Sequence, residues 1–342
     1  MTDVEISLLI PGYLCPVRRE GHTFSKGDTS SPVAMQWAKE GKQIPWQASL
    51  FGRITQSDIT AAQLPVAELL QPNLVGNRGI VRADPVHLQA DRDTAKLLPA
   101  QMLALDEGES EALIASLNEF LAADGFSVFP GPDQGWYMTG MDASTLESYP
   151  PSFLADRNAS AFLPSGNNSE SWRRLMTEIQ MLLHTHPVNE QRTQHGKLPV
   201  NSLWFWGGAN LTTYPSQAVG LNVYADDDFS KSLCSYLGVP CHDLAEFDPV
   251  SSGDAVIVDT RIASAHFARS ESALTAATQR VDVEWLAVLS NRIRRRQIGS
   301  VTTINEDGDS GALTLATQRA YDRTQSVWGR RWAQMRRWFY RE

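Results

Sequence analysis

Leu221-Asn222-Val223-Tyr224-Ala225 is an apolar strand, Phe229 to Leu237 reads as a helix closed by Gly238, and Asp254-Ala255-Val256-Ile257-Val258-Asp259 is a second buried strand. Strand, helix and strand in series, with apolar runs rather than strict alternation, predict parallel strands buried on both faces by helices. The same signature extends outward. Ile6-Ser7-Leu8-Leu9-Ile10 before Pro11-Gly12 reads as a buried first strand ending in a sharp turn. Val200 to Trp206, running into Gly207-Gly208, reads as a further strand of the same series. Glu271 to Ile293 is a long helix whose basic end, Arg292 to Arg296, suits the negative end of the helix dipole. Ser300 to Ile304 and Ala312 to Ala316 are strands around the turn signal Asn305 to Gly311.

The middle of the chain has a different rhythm. Leu64 to Leu70 reads as a short helix, and Ile80-Val81-Arg82-Ala83 as a strand that turns at Asp84-Pro85. Glu107 to Ala122 is an amphipathic helix with Leu113, Leu117, Phe120 and Leu121 on one face. Phe126 to Phe129 and Trp136 to Thr139 pair around Pro130-Gly131-Pro132-Asp133. Residues 140–169 are a Ser/Pro/Gly/Asn-rich connector, and Glu170 to His184 is a second long helix bearing Leu175, Ile179, Leu182 and Leu183. There is no internal repeat.

Composition narrows the classes. In 342 residues, 42% are apolar and 20% charged, enough for a large core and too apolar for a disordered chain. The formal net charge of −9 argues against nucleic acid as a partner. The cysteines Cys15, Cys234 and Cys241 match no zinc spacing and read as free thiols. The start Met1-Thr2-Asp3-Val4-Glu5 has no basic leader region, and no run approaches the ~18 apolar residues of a membrane span. A cytoplasmic protein without a transmembrane segment is expected.

Several blocks, in order, carry a resemblance. They are His186-Pro187-Val188-Asn189-Glu190-Gln191-Arg192, Gly196-Lys197-Leu198-Pro199-Val200-Asn201 and Trp206-Gly207-Gly208-Ala209, followed by Tyr214-Pro215, Gly220-Leu221 and Leu237-Gly238-Val239. Together with the softer matches Leu50-Phe51-Gly52, Leu64 to Leu70 and Val81 to Asp84, the series resembles the archaeal-type cofactor-independent phosphoglycerate mutases of the alkaline phosphatase superfamily. Arg82-Ala83-Asp84-Pro85-Val86-His87-Leu88 and Trp172 to Asn189 look closer still to bacterial RpfE-type regulatory proteins. The resemblance implies an α/β fold: an alkaline phosphatase-like core with a mostly parallel sheet flanked by helices. Residues 1–80 and 165–342 would form that core, and 81–164 an inserted small α+β domain and connector.

The resemblance also implies a two-metal phosphoryl-transfer site, and this chain departs from it. The family's first strand ends in a metal-ligating Asp before Gly; here Pro11 precedes Gly12. The nucleophile position falls near Gly41-Lys42-Gln43, where no hydroxyl side chain stands, and Ser31 and Ser49 are out of register. After Val256-Ile257-Val258, Asp259 and His266 are present, but Ser264 stands near an expected Asp. The late Gly-Asp-His triplet is missing, the nearest acidic turn being Asn305-Glu306-Asp307-Gly308. Each lost charged ligand costs metal affinity by orders of magnitude. Asp259 and His266 remain the weak metal candidates, no cofactor is expected, and a non-catalytic regulatory or ligand-sensing protein is the leading reading. An enzyme of mutase or phosphatase type using retained cleft residues is the alternative.

Other groups have two readings each. Asp84 and His87, with Asp91 and Asp93, are either an acid/base cluster or a proline turn plus a hydrogen-bonded junction. His184, His186, Asn189 and Arg192 either hold a phosphorylated or carboxylate ligand or close a helix end. Catalytic candidates are therefore Asp84, His87 and His186; ligand-binding candidates are Asn189, Arg192 and the backbone at Gly207 and Gly208. Asp226-Asp227-Asp228 is either a cation site or a helix N-cap. The C-terminal segment interleaves Arg330, Arg331, Arg336, Arg337 and Arg341 with Trp328, Trp332, Trp338, Phe339 and Tyr340. It is either a docked helix or a helix that binds a protein partner or a membrane surface.

Overall fold

In chain order the strands are β1 (Glu5–Leu9), β2 (Ile80–Ala90), β3 (Ala95–Leu98), β4 (Ser127–Pro130), β5 (Trp136–Thr139), β6 (Leu146–Glu147) and β7 (Ser165–Gly166). They continue as β8 (Ser202–Trp206), β9 (Asn222–Ala225), β10 (Cys241–His242), β11 (Ala255–Val258), β12 (Ser300–Ile304) and β13 (Ser310–Thr314). The structure is a computed structural model. It describes residues 4–12, 44–304 and the backbone of 310–314, apart from 58, 61, 63, 75–78, 91, 93, 132–134, 156, 212–217 and 250–252.

A 6-stranded sheet has the order β10-β9-β11-β1-β12-β13. Every pairing is parallel except the β12–β13 hairpin at one edge. Alternation along β1 and β11 feeds two cores, as period-2 geometry requires. Leu9, Val256 and Val258 face the layer that contains the helices Trp46–Thr55 and Asp228–Leu237, where Trp46 meets Phe229 edge to face at 5.6 Å. Ile6, Leu8 and Ile257 face Val281, Trp285, Leu289 and Ile293 from the long helical run 271–294. That run is interrupted by a π-helical turn at Asp282–Leu286, and it ends with Arg292 and Arg294 in its last turn. The chain is thus mixed α/β, with a mainly parallel sheet flanked by helices.

The second sheet is antiparallel, in the order β3-β2-β5-β4, with β8 also on β2. Here two expectations change. Ser202–Trp206 was grouped with the parallel strands, yet it pairs antiparallel with β2, Arg82 opposite Trp206 and Val86 opposite Ser202. Segments on either side of residue 164 therefore share this sheet. The strand opening at Ile80 also does not turn at Asp84-Pro85 but runs on to Ala90. β2 pairs with β5 at residues 80–82 and with β3 at 87–90, so between those ladders it is paired through β8. A proline, which lacks the N–H, is tolerated where one side of a strand carries no ladder.

Local signals account for most of the helices. Asp106 and Glu109 form a reciprocal capping box that starts the helix Glu107–Leu121. That helix buries Leu113, Ile114, Leu117 and Leu121, and the expected core residue Phe120 is 42% exposed. The helix Ser169–His184 buries Trp172, Leu175, Met176, Ile179 and Leu183, with Trp172 5.0 Å from Phe205 of β8. Among the described residues no helix is long and apolar enough to cross a membrane.

Candidate functional site

The C-terminal ends of β1 and β11 lie side by side in the parallel sheet, and the resemblance implies metal ligands there. The turn Pro11-Gly12 abuts the helix Arg261–Phe267: a Cβ on Gly12, at φ +78°, would stand 3.4 Å from Ala263 and Ile262. Pro11 thus brings no ligand atom to the place where Asp259 emerges from β11.

Asp259 is fully buried, and its carboxylate is engaged on both oxygens. Oδ1 accepts from the Arg261 backbone N–H at 3.1 Å and from Arg261 Nε at 2.9 Å. Oδ2 accepts from Arg261 Nε at 3.0 Å, Arg261 Nη2 at 2.5 Å and the Trp285 indole N–H at 2.7 Å. Arg261 also reaches Glu284 at 2.7 Å, and these acidic partners hold its guanidinium firmly charged. A divalent cation at Asp259 would have to displace an arginine that already neutralises it. His266 lies seven residues on, near the end of the same short helix, with its ring 5.5 Å from Phe267. Ser264 is on that helix too. The donor set does not fit the two-metal site. Among the described residues, no group of three or more His, Cys, Asp or Glu side chains is arranged to hold a metal. Gly41 to Gln43, Ser31 and Asn305 to Gly308 lie outside the described residues.

Asp84 belongs to a different constellation. Arg82 and Asp84, two apart on β2, share one face and form a buried ion pair at 2.7 Å. Asp84 also accepts from the backbone N–H of Trp136 at 3.3 Å and the indole of Trp206 at 2.7 Å. Arg82 donates to Tyr137 Oη at 2.8 Å and lies over the Tyr137 and Trp206 rings. Gly135 is obligatory beside them, since a Cβ there would fall 1.8 Å from Arg82 Nη2. His87 is three residues from Asp84, an odd step that turns it to the opposite face of the strand, where Nδ1 meets the Pro199 carbonyl at 2.9 Å. Asp84 and His87 do not converge. Asp91 and Asp93 lie outside the described residues.

The His186 block knits helix to sheet. His186 N-caps the helix Pro187–Gln194: its Nδ1 accepts from Val188 N–H at 3.2 Å, while Nε2 lies 2.9 Å from Ser116 Oγ. An N–H can only donate, so Nδ1 carries the lone pair and the ring proton sits on Nε2, donating to Ser116. That tautomer cannot accept the serine's proton, so the pair is not a nucleophile–base dyad. Burial lowers the His186 pKa below the ordinary imidazole value. Asn189 is buried, donates to the carbonyls of Leu183 and Val200 at 2.8 and 2.7 Å, and accepts from Val200 N–H at 2.8 Å. Arg192, 1% exposed, donates to the carbonyls of Leu198 and Leu103 at 2.8 and 2.5 Å and pairs with Glu109. The glycines serve close packing: Gly207 accepts from Ala67 N–H at 2.9 Å, and a Cβ on Gly208 would stand 2.4 Å from that of Ala143.

Asp227 is the N-cap of Asp228–Leu237, accepting from Ser230 N–H at 2.8 Å and Ser230 Oγ at 2.6 Å. Burial pushes its carboxyl pKa up, against the pull of those bonds. A surface hollow of about 510 Å³ opens where Glu109, Arg192, His195 and Lys197 meet, with Lys197 Nζ 3.5 Å from Glu109. Sequence reasoning missed Glu109, Ser116, Arg261 and Trp285. Two of them carried local signals: Arg261 is a cation two residues after the candidate ligand Asp259, and Glu109 stands three residues after Asp106 as in a capping box.

No protein-family model matches the chain. Over 127 residues it is 27% identical to a protein of Geobacter sulfurreducens named "Probable 2,3-bisphosphoglycerate-independent phosphoglycerate mutase", covering 37% of this chain and 32% of that one. Over 105 residues it is 30% identical to the 2,3-bisphosphoglycerate-independent phosphoglycerate mutase of Methanosarcina mazei, covering 30% and 26%. The match to the same enzyme of Methanosarcina acetivorans is 31% over 105 residues, with the same coverage. This chain is a weak and partial homologue of those mutases. It spans about a third or less of the length of the relatives it matches. Among solved structures, the PH0037 protein from Pyrococcus horikoshii aligns with a TM-score of 0.44 at 10% identity, over 91% of this chain and 86% of that one. The cofactor-independent phosphoglycerate mutase from Thermoplasma acidophilum gives 0.29 at 14% identity, over 92% and 90%.

Proposed function

We propose that this protein is a non-catalytic, cytoplasmic descendant of a cofactor-independent phosphoglycerate mutase that works as a regulatory or ligand-sensing protein of the RpfE type. The observation that carries the reading is the Asp259–Arg261 pair. A guanidinium occupies both oxygens of the one acidic side chain that the resemblance leaves at the metal position. Proline at the end of β1 removes a second ligand. The residues that would hold the metals do not fit them.

The ligand expected of such a protein is a small phosphorylated or carboxylate molecule. The hollow beside Arg192 is the place for it, since Lys197 and His195 bring exposed nitrogen groups to its rim and Arg192 stiffens its floor. Calorimetric titration with 3-phosphoglycerate, and separately with inorganic phosphate, tests this. Binding that Lys197→Glu weakens about tenfold or more, as loss of a charge-assisted contact should, supports the reading. No heat with either compound, or binding indifferent to Lys197→Glu, removes the ligand site. The basic aromatic segment around Trp332 and Arg336, the candidate surface for a protein partner, lies outside the described residues.

A further inference from the structure

Away from that region, one tight turn places two nucleophilic side chains on adjoining elements. Cys234 is fully buried on the helix Asp228–Leu237, and Cys241 is half-buried in β10, the edge strand of the parallel sheet. Both are free thiols. The chain between them folds straight back. Gly238, left-handed at φ 66°, closes the helix, and the Val239 N–H bonds to the Cys234 carbonyl at 2.9 Å. Val223 N–H then bonds to the Pro240 carbonyl at 3.1 Å, which seats Cys241 opposite Val223. The turn brings the two thiols near enough to shift each other's titration, with Asp227, Lys231 and Asp243 as the charged groups around them.

We propose that Cys234 and Cys241 are a reversible thiol–disulfide pair that exchanges with low-molecular-weight disulfides of the glutathione type. Cys241 is the accessible partner. It gives its proton to solvent, and its sulfur attacks one sulfur of the small disulfide. That S–S bond breaks, and the departing thiolate takes up a proton. Cys234 then loses its proton to solvent and attacks Cys241 Sγ. The mixed disulfide breaks and the second small thiol leaves. The protein pair loses two electrons and two protons, and the small disulfide is reduced to two thiols. The environment assigns this order. The neighbouring Cys234 thiol lowers the Cys241 pKa, with the Lys231 ammonium helping, while the Cys241 thiol and then burial raise that of Cys234. The half-buried thiol is the better attacking group and the fully buried one resolves. Closing the bond would tie the last turn of the helix to the sheet edge.

The test uses the full chain, equilibrated with graded mixtures of glutathione and glutathione disulfide, quenched by alkylation and mapped by mass spectrometry. The expected result is a Cys234–Cys241 crosslink, with the loss of two hydrogens in intact mass, that survives Cys15→Ser. In the reduced protein, iodoacetamide should modify Cys241 about tenfold or more faster than Cys234. Cys234→Ser should convert the crosslink into a lasting glutathione adduct on Cys241. If that variant does not fold, Cys241→Ser carries the same test, with no crosslink and no adduct on Cys234. The proposal is overturned if Cys234 stays alkylatable in the most oxidising mixture, if wild-type Cys241 collects only the adduct, or if the crosslink runs through Cys15.

Discussion

Arg261 holds the carboxylate of Asp259, two residues before it, through Nε at 2.9 and 3.0 Å and Nη2 at 2.5 Å, while the Trp285 indole closes on the same group at 2.7 Å. The pair anchors the end of β11 to the long helical run, at the position where the resemblance implies a metal ligand. Asp259→Ala should destabilise the protein by about 2–4 kcal/mol, because it strands a buried indole N–H and removes the main partner of Arg261. Urea unfolding of the two proteins checks this, and a loss below about 1 kcal/mol would show that the contact adds little.

The same pair predicts a failed rescue. With added manganese, interconversion of 3- and 2-phosphoglycerate should stay at background, since the metals and nucleophile together supply on the order of 10 kcal/mol of barrier reduction. Pro11→Asp alone should not restore it while Arg261 neutralises Asp259. A coupled spectrophotometric assay and elemental analysis of the variant measure both points. Turnover through a phosphoenzyme in the wild type would refute the non-catalytic reading.

Asp84 is expected to matter for stability through its partners. Replacing it by alanine leaves the Arg82 guanidinium buried without its carboxylate, and should cost about 3–5 kcal/mol. Removing both charges, as in Arg82→Met with Asp84→Leu, should cost less than the single change. Chemical denaturation of the variants tests this, and a double variant that costs as much as Asp84→Ala or more would contradict it.

Protonation of His186 should unfold the protein more easily. Burial holds its folded pKa below the ordinary imidazole value, so the unfolded chain binds the proton first as pH falls. Stability present above about pH 6.5 is therefore lost progressively below it, down to the folded value. Protonation also abolishes the Nδ1 lone pair that caps Val188. His186→Asn, which keeps a cap acceptor without titrating there, should flatten melting temperature against pH between 5 and 6.5. An unchanged slope would rule out this histidine as its source.

The apolar runs of β1, β9 and β11 and the helix between β9 and β11 were legible in the sequence, because a strand buried on both faces must be apolar throughout and a closing glycine marks a helix end. The capping role of Asp227 was legible for the same local reason, as one of two readings. The sheet that receives Ser202–Trp206 was not legible. Periodicity reports how many faces of a strand are buried and says nothing of its neighbour. β2 was foreseen only as far as Asp84-Pro85, since proline is a turn signal unless the fold leaves one side of a strand unladdered.

By itself the sequence determined the α/β class, the absence of a ligand atom at Pro11 and the partial likeness to the mutases, all properties of residue type and order along the chain. Tertiary structure alone decided that Asp259 is neutralised, that Asp84 is spent on Arg82 and Trp206, and that His186 carries its proton on the wrong nitrogen for a base. Those outcomes depend on which groups arrive within about 3 Å. Trp285 and Trp206 reach their carboxylates from 26 and 122 residues away, a separation that no local pattern encodes.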